Sequence, residues 1–253
     1  GYFNTAVGSA SLQALVTGSY NLAVGYNTLY NTTYSNYNTV LGTSSLYTNT
    51  TGDYNVTAGY QTMYSNTTGV QTVAIGYRSL YNNTYGYNNV AVGHLAFNAN
   101  TTGVSGVAVG YNAMYSATIG TDNTAIGSSA LYSTVTSVYN TAVGAGALSN
   151  LSTGTDHVAI GRVAGSGITT GYTNVSIGNY SGPTVAASSC IAIGHAALAA
   201  TIGGGGGSVA IGAYAGQNNT TGVLAALGAS ALQVNTTGTN NTALGYYALP
   251  VNT

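Results

Sequence analysis

The sequence predicts an all-β fold, a parallel β-solenoid in which residues 1–253 form a single repetitive domain of fifteen coils. Three observations support this prediction. A short motif that ends in glycine recurs about every 17 residues, aliphatic and small residues alternate just before that glycine, and charged residues are almost absent. A fixed period of this length is typical of repeat proteins, whose units stack on their neighbours and share one core.

The glycine defines the repeat. Ten successive intervals of 17 residues are followed by intervals of 16, 18, 16 and 17, which gives fifteen units. We number each coil so that this glycine is position five, and the first coil then runs from Asn4 at position one to Tyr20 at position seventeen. We expect tight corners at these glycines, where a side chain is not tolerated or a positive φ is required. They are Gly8, Gly25, Gly42, Gly59, Gly76, Gly93, Gly110, Gly127, Gly144, Gly161, Gly178, Gly194, Gly212, Gly228 and Gly245.

Two strands are predicted in each coil. Positions two to four alternate between aliphatic and small residues, as in Val209, Ala210 and Ile211, which is a strand signature. At position nine an apolar residue such as Leu12 follows a small residue, and this pair predicts a second short strand. The stretch that often reads NTTG then closes the coil as a loop.

The small third position predicts contact with a second chain. If positions two and four point into the coil, position three points outward. An alanine such as Ala74 or Ala210 would then lie on a closely covered face in nearly every coil. We therefore expect identical solenoids to pack side by side.

Two other repeat folds could have a similar period. A helical repeat is excluded because Gly, Asn and Thr recur throughout and the apolar positions do not follow a 3.6-residue spacing. A three-sided left-handed helix of hexapeptides, which needs about 18 residues per coil, remains an alternative.

Composition argues against several classes of function. The chain has two Arg, three Asp and neither Lys nor Glu, although 45% of its residues are hydrophobic. Acid-base enzymes need clustered carboxylates or bases, and nucleic-acid binders need many cations. We therefore expect no enzymatic activity, no cofactor, no metal site and no nucleic-acid partner, whereas a net charge of -1 favours self-association. No run of about 18 apolar residues occurs, so no membrane span is predicted.

The few reactive side chains form no predicted site. Asp156 adjoins His157, and a surface loop explains that pair most simply. Cys190 is the only cysteine and is expected to be a tolerated small residue rather than a nucleophile. The run Gly203–Gly207 lacks the Lys of a phosphate loop, so we interpret it as an expanded loop.

Stacking would turn each position of the coil into a column. Asn at position one can hydrogen-bond from coil to coil, as amides do in cross-β stacks. Tyr at positions six and ten either braces neighbouring coils or forms a sugar-binding surface, and both interpretations stay open.

Asn-x-Ser/Thr sequons occur at thirteen sites, most of them in the NTTG loop. In a glycosylating source they predict sugars along one edge of the solenoid. The candidate sites are Asn31, Asn49, Asn66, Asn82, Asn100, Asn150, Asn219 and Asn235.

The motif resembles the repeats of a known family. Ser208–Gly212 reads SVAIG, and this string with variants such as Thr72–Gly76 resembles the repeat in the heads of trimeric autotransporter adhesins. NTAVG followed by ALY and NTTG is also similar to repeats in tail-fibre-like proteins of phages and giant viruses. The resemblance covers all fifteen units and implies a left-handed parallel β-roll, assembly of three chains and a surface that adheres to other molecules.

These observations predict a structural and adhesive fibre segment that is extracellular, at a cell or virion surface. It would assemble with itself, as a homotrimer or an end-to-end filament, and its further partners would be cell-surface glycans or matrix. The alternative is a monomeric solenoid that binds ice or glycans. Adjacent Thr residues count against ice binding, because a flat row of hydroxyls needs Thr-x-Thr.

Overall fold

In the computed structural model the chain is built from stacked β-coils. The structure describes residues 1–184, 186–200, 206–220, 222–236 and 238–252. The chain divides into two compact units, Gly1–Asn123 and Thr124–Thr253. Each unit is a parallel β-solenoid with about 17 residues per coil, so the predicted fold class is confirmed. The described residues contain no helix.

In the first unit each coil contributes one strand of three residues, at positions two to four. Each strand pairs in parallel with the strand one coil away, so that Leu22 lies opposite Thr39 and Ala23 opposite Val40. Register is therefore set by the repeat itself. The strands are β1 (Thr5–Val7), β2 (Leu22–Val24), β3 (Thr39–Leu41), β4 (Val56–Ala58), β5 (Val73–Ile75), β6 (Val90–Val92) and β7 (Val107–Val109).

The second unit repeats this arrangement with eight strands in one parallel sheet and three in a second sheet. The larger sheet contains β8 (Thr124–Ile126), β9 (Thr141–Val143), β10 (Val158–Ile160), β11 (Val175–Ile177), β12 (Ile191–Ile193), β13 (Val209–Ile211), β15 (Leu224–Leu227) and β17 (Asn241–Leu244). The smaller sheet contains β14 (Asn218–Asn219), β16 (Val234–Asn235) and β18 (Val251–Asn252).

The predicted direction of the strand side chains is wrong. Position three points into the coil: Ala74 and Ala210 are 0% exposed. Positions two and four point outward, and Ile75 is 40% exposed. The physical reason is the thin core, in which Ala210 packs in one cluster with the position-nine leucines Leu198 and Leu232. The narrow coil leaves room for a side chain no larger than valine opposite the leucine: position three is Ala in most coils and is the fully buried Val40 in the coil of Leu46.

The second strand is not at the predicted positions eight and nine. In three coils of the second unit a second strand lies at positions eleven and twelve instead, in the smaller sheet. Positions seven and nine have a left-handed backbone, with φ of 53° at Ser44 and 49° at Leu46, so the chain turns there. The turn places the side chains of both Ser45 and Leu46 inside, each 0% exposed. A left-handed leucine costs about 1–2 kcal/mol, and complete burial of its side chain offsets this with about 1.5–3 kcal/mol.

The glycine at position five forms the corner after each strand. All fifteen have φ between 122° and 143°. A Cβ at Gly144 would lie 2.6 Å from the carbonyl carbon of Gly161, one coil away. Both the backbone angle and the stacking distance therefore exclude a side chain.

Substitution of this corner is expected to be far more damaging than substitution two residues later. Gly144→Ala should destabilise the chain by about 3 kcal/mol or more, because strain and overlap with the next coil act together. Gly146→Ala is the matched control: its φ is 68° and the nearest atom to an added Cβ is 3.6 Å away, so a loss of only about 1 kcal/mol is expected. Urea unfolding measures both, and equal losses would contradict the corner's role.

Candidate functional site

The outward face of the strands is an uncharged apolar surface. In the described strands positions two and four carry Val, Ile, Leu, Thr or Ala. Ile126, Ile160 and Ile211 are 39–42% exposed in the second unit, and Leu41 is 41% exposed in the first. Eight strands of three residues give the second unit a face of about 30 Å by 10 Å. Apolar patches of about this area are often binding sites.

The position-one Asn residues form a buried column, and their predicted coil-to-coil bonding is present. Asn38 is 0% exposed. Its Oδ1 accepts a hydrogen bond from the backbone N–H of Asn55 at 2.9 Å. Its Nδ2 donates to Asn21 Oδ1 at 3.2 Å and to the Gly52 carbonyl at 3.0 Å. The Asn38 amide therefore satisfies a backbone N–H of the next coil and a carbonyl of its own coil.

A second buried Asn column lies at position twelve. The Nδ2 of Asn66 donates to Asn49 Oδ1 at 2.7 Å, and the Nδ2 of Asn83 donates to Asn66 Oδ1 at 2.9 Å. Asn49 Nδ2 also donates to the Gly52 carbonyl, which accepts from the first column as well. The two columns are thus joined through one carbonyl.

His157 belongs to the position-one column, so the expected surface loop is wrong. Its side chain is 0% exposed. Its Nδ1 accepts a hydrogen bond from the backbone N–H of Asn174 at 3.2 Å, in place of the usual Asn oxygen. Burial lowers the pKa of His157, while the nearby Gly171 backbone and the charge of Asp156 oppose that shift.

Cys190 occupies the same column, one coil beyond Asn174. It is buried, and its backbone N–H donates to Asn174 Oδ1 at 2.9 Å. Burial raises the pKa of its thiol. A buried neutral thiol is a poor nucleophile.

Stacked aromatic rings form three columns in the first unit. At position seventeen, not singled out by the sequence analysis, ring centroids lie 5.1, 4.9 and 5.0 Å apart. At position ten they lie 5.0, 4.9 and 5.3 Å apart, and at position six 5.6, 4.9 and 5.4 Å apart. In order of position, the columns are Phe3, Tyr20, Tyr37 and Tyr54; Tyr30, Tyr47, Tyr64 and Tyr81; and Tyr60, Tyr77, His94 and Tyr111.

Both cations lie against aromatic rings rather than on the sheet face. The Arg78 guanidinium lies 5.3 Å from the Tyr77 ring centre and 5.0 Å from that of Tyr81. Arg162 lies 4.8 Å from the ring centre of Tyr180. These cation–π contacts place the positive charges at positions six and seven, outside the strands.

The candidate glycosylation sites separate into two groups. Five lie at position twelve with buried amides: Asn49, Asn66, Asn100, Asn219 and Asn235. Three lie at position eleven, where Asn150 is exposed and Asn31 and Asn82 are partly exposed. A sugar on a buried amide would break its column, so among these eight sites only the three at position eleven can carry one in the folded chain.

Among the described residues no three His, Cys, Asp or Glu side chains are grouped to hold a metal ion, and no helix could span a membrane. The predicted loop at Gly203–Gly207 lies outside the described residues as far as Gly205. Comparison with known proteins finds no matching family model, no similar curated protein and no similar solved structure.

Acid should destabilise the chain through His157, and His157→Asn should reduce this effect. The unfolded His takes up a proton as the pH falls through about 6.5, whereas the buried ring, with its lowered pKa, resists protonation. The unfolded state then binds more protons, so stability is lost as the pH falls through and below that value. Thermal unfolding between pH 7.5 and pH 5 tests this. His195→Asn, at an exposed His, is the control that should keep the wild-type acid loss, and identical pH dependence in both variants would contradict the assignment.

In a secretory host that glycosylates Asn, the folded product should carry sugar at the position-eleven members of the eight candidate sites and not at the position-twelve members. Glycopeptide mass spectrometry is expected to find modified Asn31, Asn82 or Asn150 and unmodified Asn at the five position-twelve sites. Recovery of folded protein with sugar on Asn66 would show that the column tolerates disruption.

Proposed function

We propose that this chain is a structural and adhesive segment of an extracellular fibre, which assembles with copies of itself through the outer face of its parallel sheet. A homotrimer is the assembly that the repeat resemblance implies, and an end-to-end filament is the other form. Cell-surface glycans or matrix are the partners proposed for the remaining surface. The exposed, uncharged rows at positions two and four are the observation that carries this proposal.

A second copy is the occupant that best fits this face. The rows hold aliphatic and Thr side chains that are partly to largely exposed, for example 40% at Ile75 and 42% at Ile160. A partner with a charged surface would lose solvation without gaining an ion pair. Another copy instead brings rows of the same repeat and the same chemistry, so aliphatic side chains can interdigitate without stranded polar groups.

The contacts between successive coils support a mechanical role. Asn amides, stacked rings and backbone hydrogen bonds link successive coils, so a load is shared among many identical contacts. The chemistry of the described residues is amide, hydroxyl and hydrocarbon, which suits a passive scaffold better than a catalyst.

The geometry gives less support to a monomeric ice- or glycan-binding solenoid. The hydroxyls of Thr50 and Thr67 donate to carbonyls of the next coil at 2.9 and 3.0 Å, so they are engaged in stacking rather than free for ice. The Tyr37 ring has Tyr20 and Tyr54 against its two faces. Sugars stack on ring faces, and here those faces are covered.

Charges on the sheet face should abolish self-association without unfolding the coil. The double variant Ile75→Asp and Ile160→Asp places an acid in the outer row of each unit, where a second copy would have to bury it. We expect an assembly of wild-type chains and a monomer for the variant by light scattering at micromolar concentration, with equal circular dichroism.

The matched control carries the same charges elsewhere. Ile119 and Val135 are 49% and 40% exposed and lie outside the strands. Ile119→Asp with Val135→Asp should assemble like wild type. A monomeric wild-type chain with no fibres by electron microscopy would overturn the proposal.

A further inference from the structure

We propose that the stacked tyrosines of the first unit are sites of oxidative cross-linking, at which phenols one coil apart are joined carbon to carbon by a one-electron oxidant such as a peroxidase with hydrogen peroxide. The product is a dityrosine within one chain. This inference does not depend on self-assembly, because both partners belong to the same solenoid.

Ring geometry is the first support. Tyr47 and Tyr64 have centroids 4.9 Å apart and an interplanar angle of 1°. Tyr37 and Tyr54 have centroids 5.0 Å apart and an angle of 3°. These separations hold the faces of neighbouring rings close together, and rotation about the side-chain torsions brings two ortho carbons into contact. The coil spacing supplies this proximity permanently.

Access is the second support. In the position-seventeen column Tyr20, Tyr37 and Tyr54 are 49%, 47% and 54% exposed. A soluble oxidant can therefore take electrons from their phenols. The adjoining residue in that column is Phe3, stacked on Tyr20 at 5.1 Å, which has no phenol and ends the reactive series.

The reaction balances with the oxidant named. Each of two phenols loses one electron and one proton to become a phenoxyl radical. The two radicals form one bond between ortho carbons, and each ring then moves its ortho proton to oxygen and regains aromaticity. One hydrogen peroxide accepts the two electrons and two protons and becomes two waters, so each cross-link removes two hydrogen atoms from the chain.

Some exposed tyrosines have no stacked tyrosine partner, so they distinguish coupling by proximity from coupling by exposure. Tyr111 is 54% exposed, but its stacking neighbour at 5.4 Å is His94 rather than a tyrosine. Tyr34 and Tyr85 are 56% and 59% exposed and lie outside the three columns. Coupling governed by exposure would include these three residues as readily as the stacked Tyr54, which is 54% exposed. Coupling governed by stacking would instead select pairs 17 residues apart.

The experiment uses the full chain with peroxidase and hydrogen peroxide. Unlabelled and ¹⁵N-labelled chains are mixed before oxidation, dityrosine is followed by its fluorescence, and a peptic digest is mapped by tandem mass spectrometry. We expect linked peptides of a single isotope that join Tyr20 to Tyr37, Tyr37 to Tyr54, Tyr47 to Tyr64 and the other stacked pairs. Mixed-isotope links dominated by Tyr34, Tyr85 and Tyr111 would overturn the proposal, as would absence of dityrosine while a free tyrosine peptide reacts.

Tyr37→Phe provides the decisive variant. It keeps a ring in the stack but removes the phenol, so both links in the position-seventeen column should be lost while those at position ten persist as an internal control for folding. Tyr34→Phe, the same change outside the columns, should leave every stacked link at its wild-type yield. Loss of links at position ten in Tyr37→Phe, or retention of links to Tyr20, would contradict the assignment.

Discussion

The buried Asn amide at position one is the interaction on which the rest of the structure depends. Asn38 gives one acceptor to the Asn55 N–H and one donor to the Gly52 carbonyl, and it does so in the dry interior. An unsatisfied buried polar group costs about 1–3 kcal/mol. The Asn amides avoid this cost in each coil that has Asn at position one. An aspartate could not donate, and like charges one coil apart would repel along the column. The absence of Asp, Glu, Lys and Arg from position one follows from this need for neutral groups.

The period and the Asn column could be predicted from the sequence because both depend only on which residue types recur and at what spacing. The direction of the strand could not. The alternation at Val73, Ala74 and Ile75 is compatible with either the alanine or its two neighbours pointing into the coil. The small space opposite position three decides between them, and that space is known only from the folded coil. The left-handed residues at positions seven and nine include Arg78, Leu80 and Val163. These residue types do not favour a left-handed backbone. The sequence therefore predicts a strand at positions eight and nine, where the folded chain turns instead.

The burial of individual loop residues could not be predicted from the sequence either. Asn82 and Asn83 are neighbours of one type, yet the first is partly exposed and the second is 0% exposed in a hydrogen-bonded column. His157 follows Asp156 in sequence but lies in the interior, because position one selects it for its acceptor nitrogen rather than for its charge. Sequence pattern locates a column only where its usual residue is kept, and a substituted member is recognised once the coil is folded.

Uniform columns also carry a hazard that the irregular coils remove. Where consecutive coils all place Asn, Ala and Leu at the same positions, a strand could dock one turn early and preserve nearly every contact, leaving one coil looped out. Such slipped isomers would be close to the native state in energy and slow to correct. In the second unit His157 and Cys190 interrupt the amide column, and intervals of 16 and 18 residues break the period. These departures distinguish the coils of the second unit from one another, so they favour a single register of stacking.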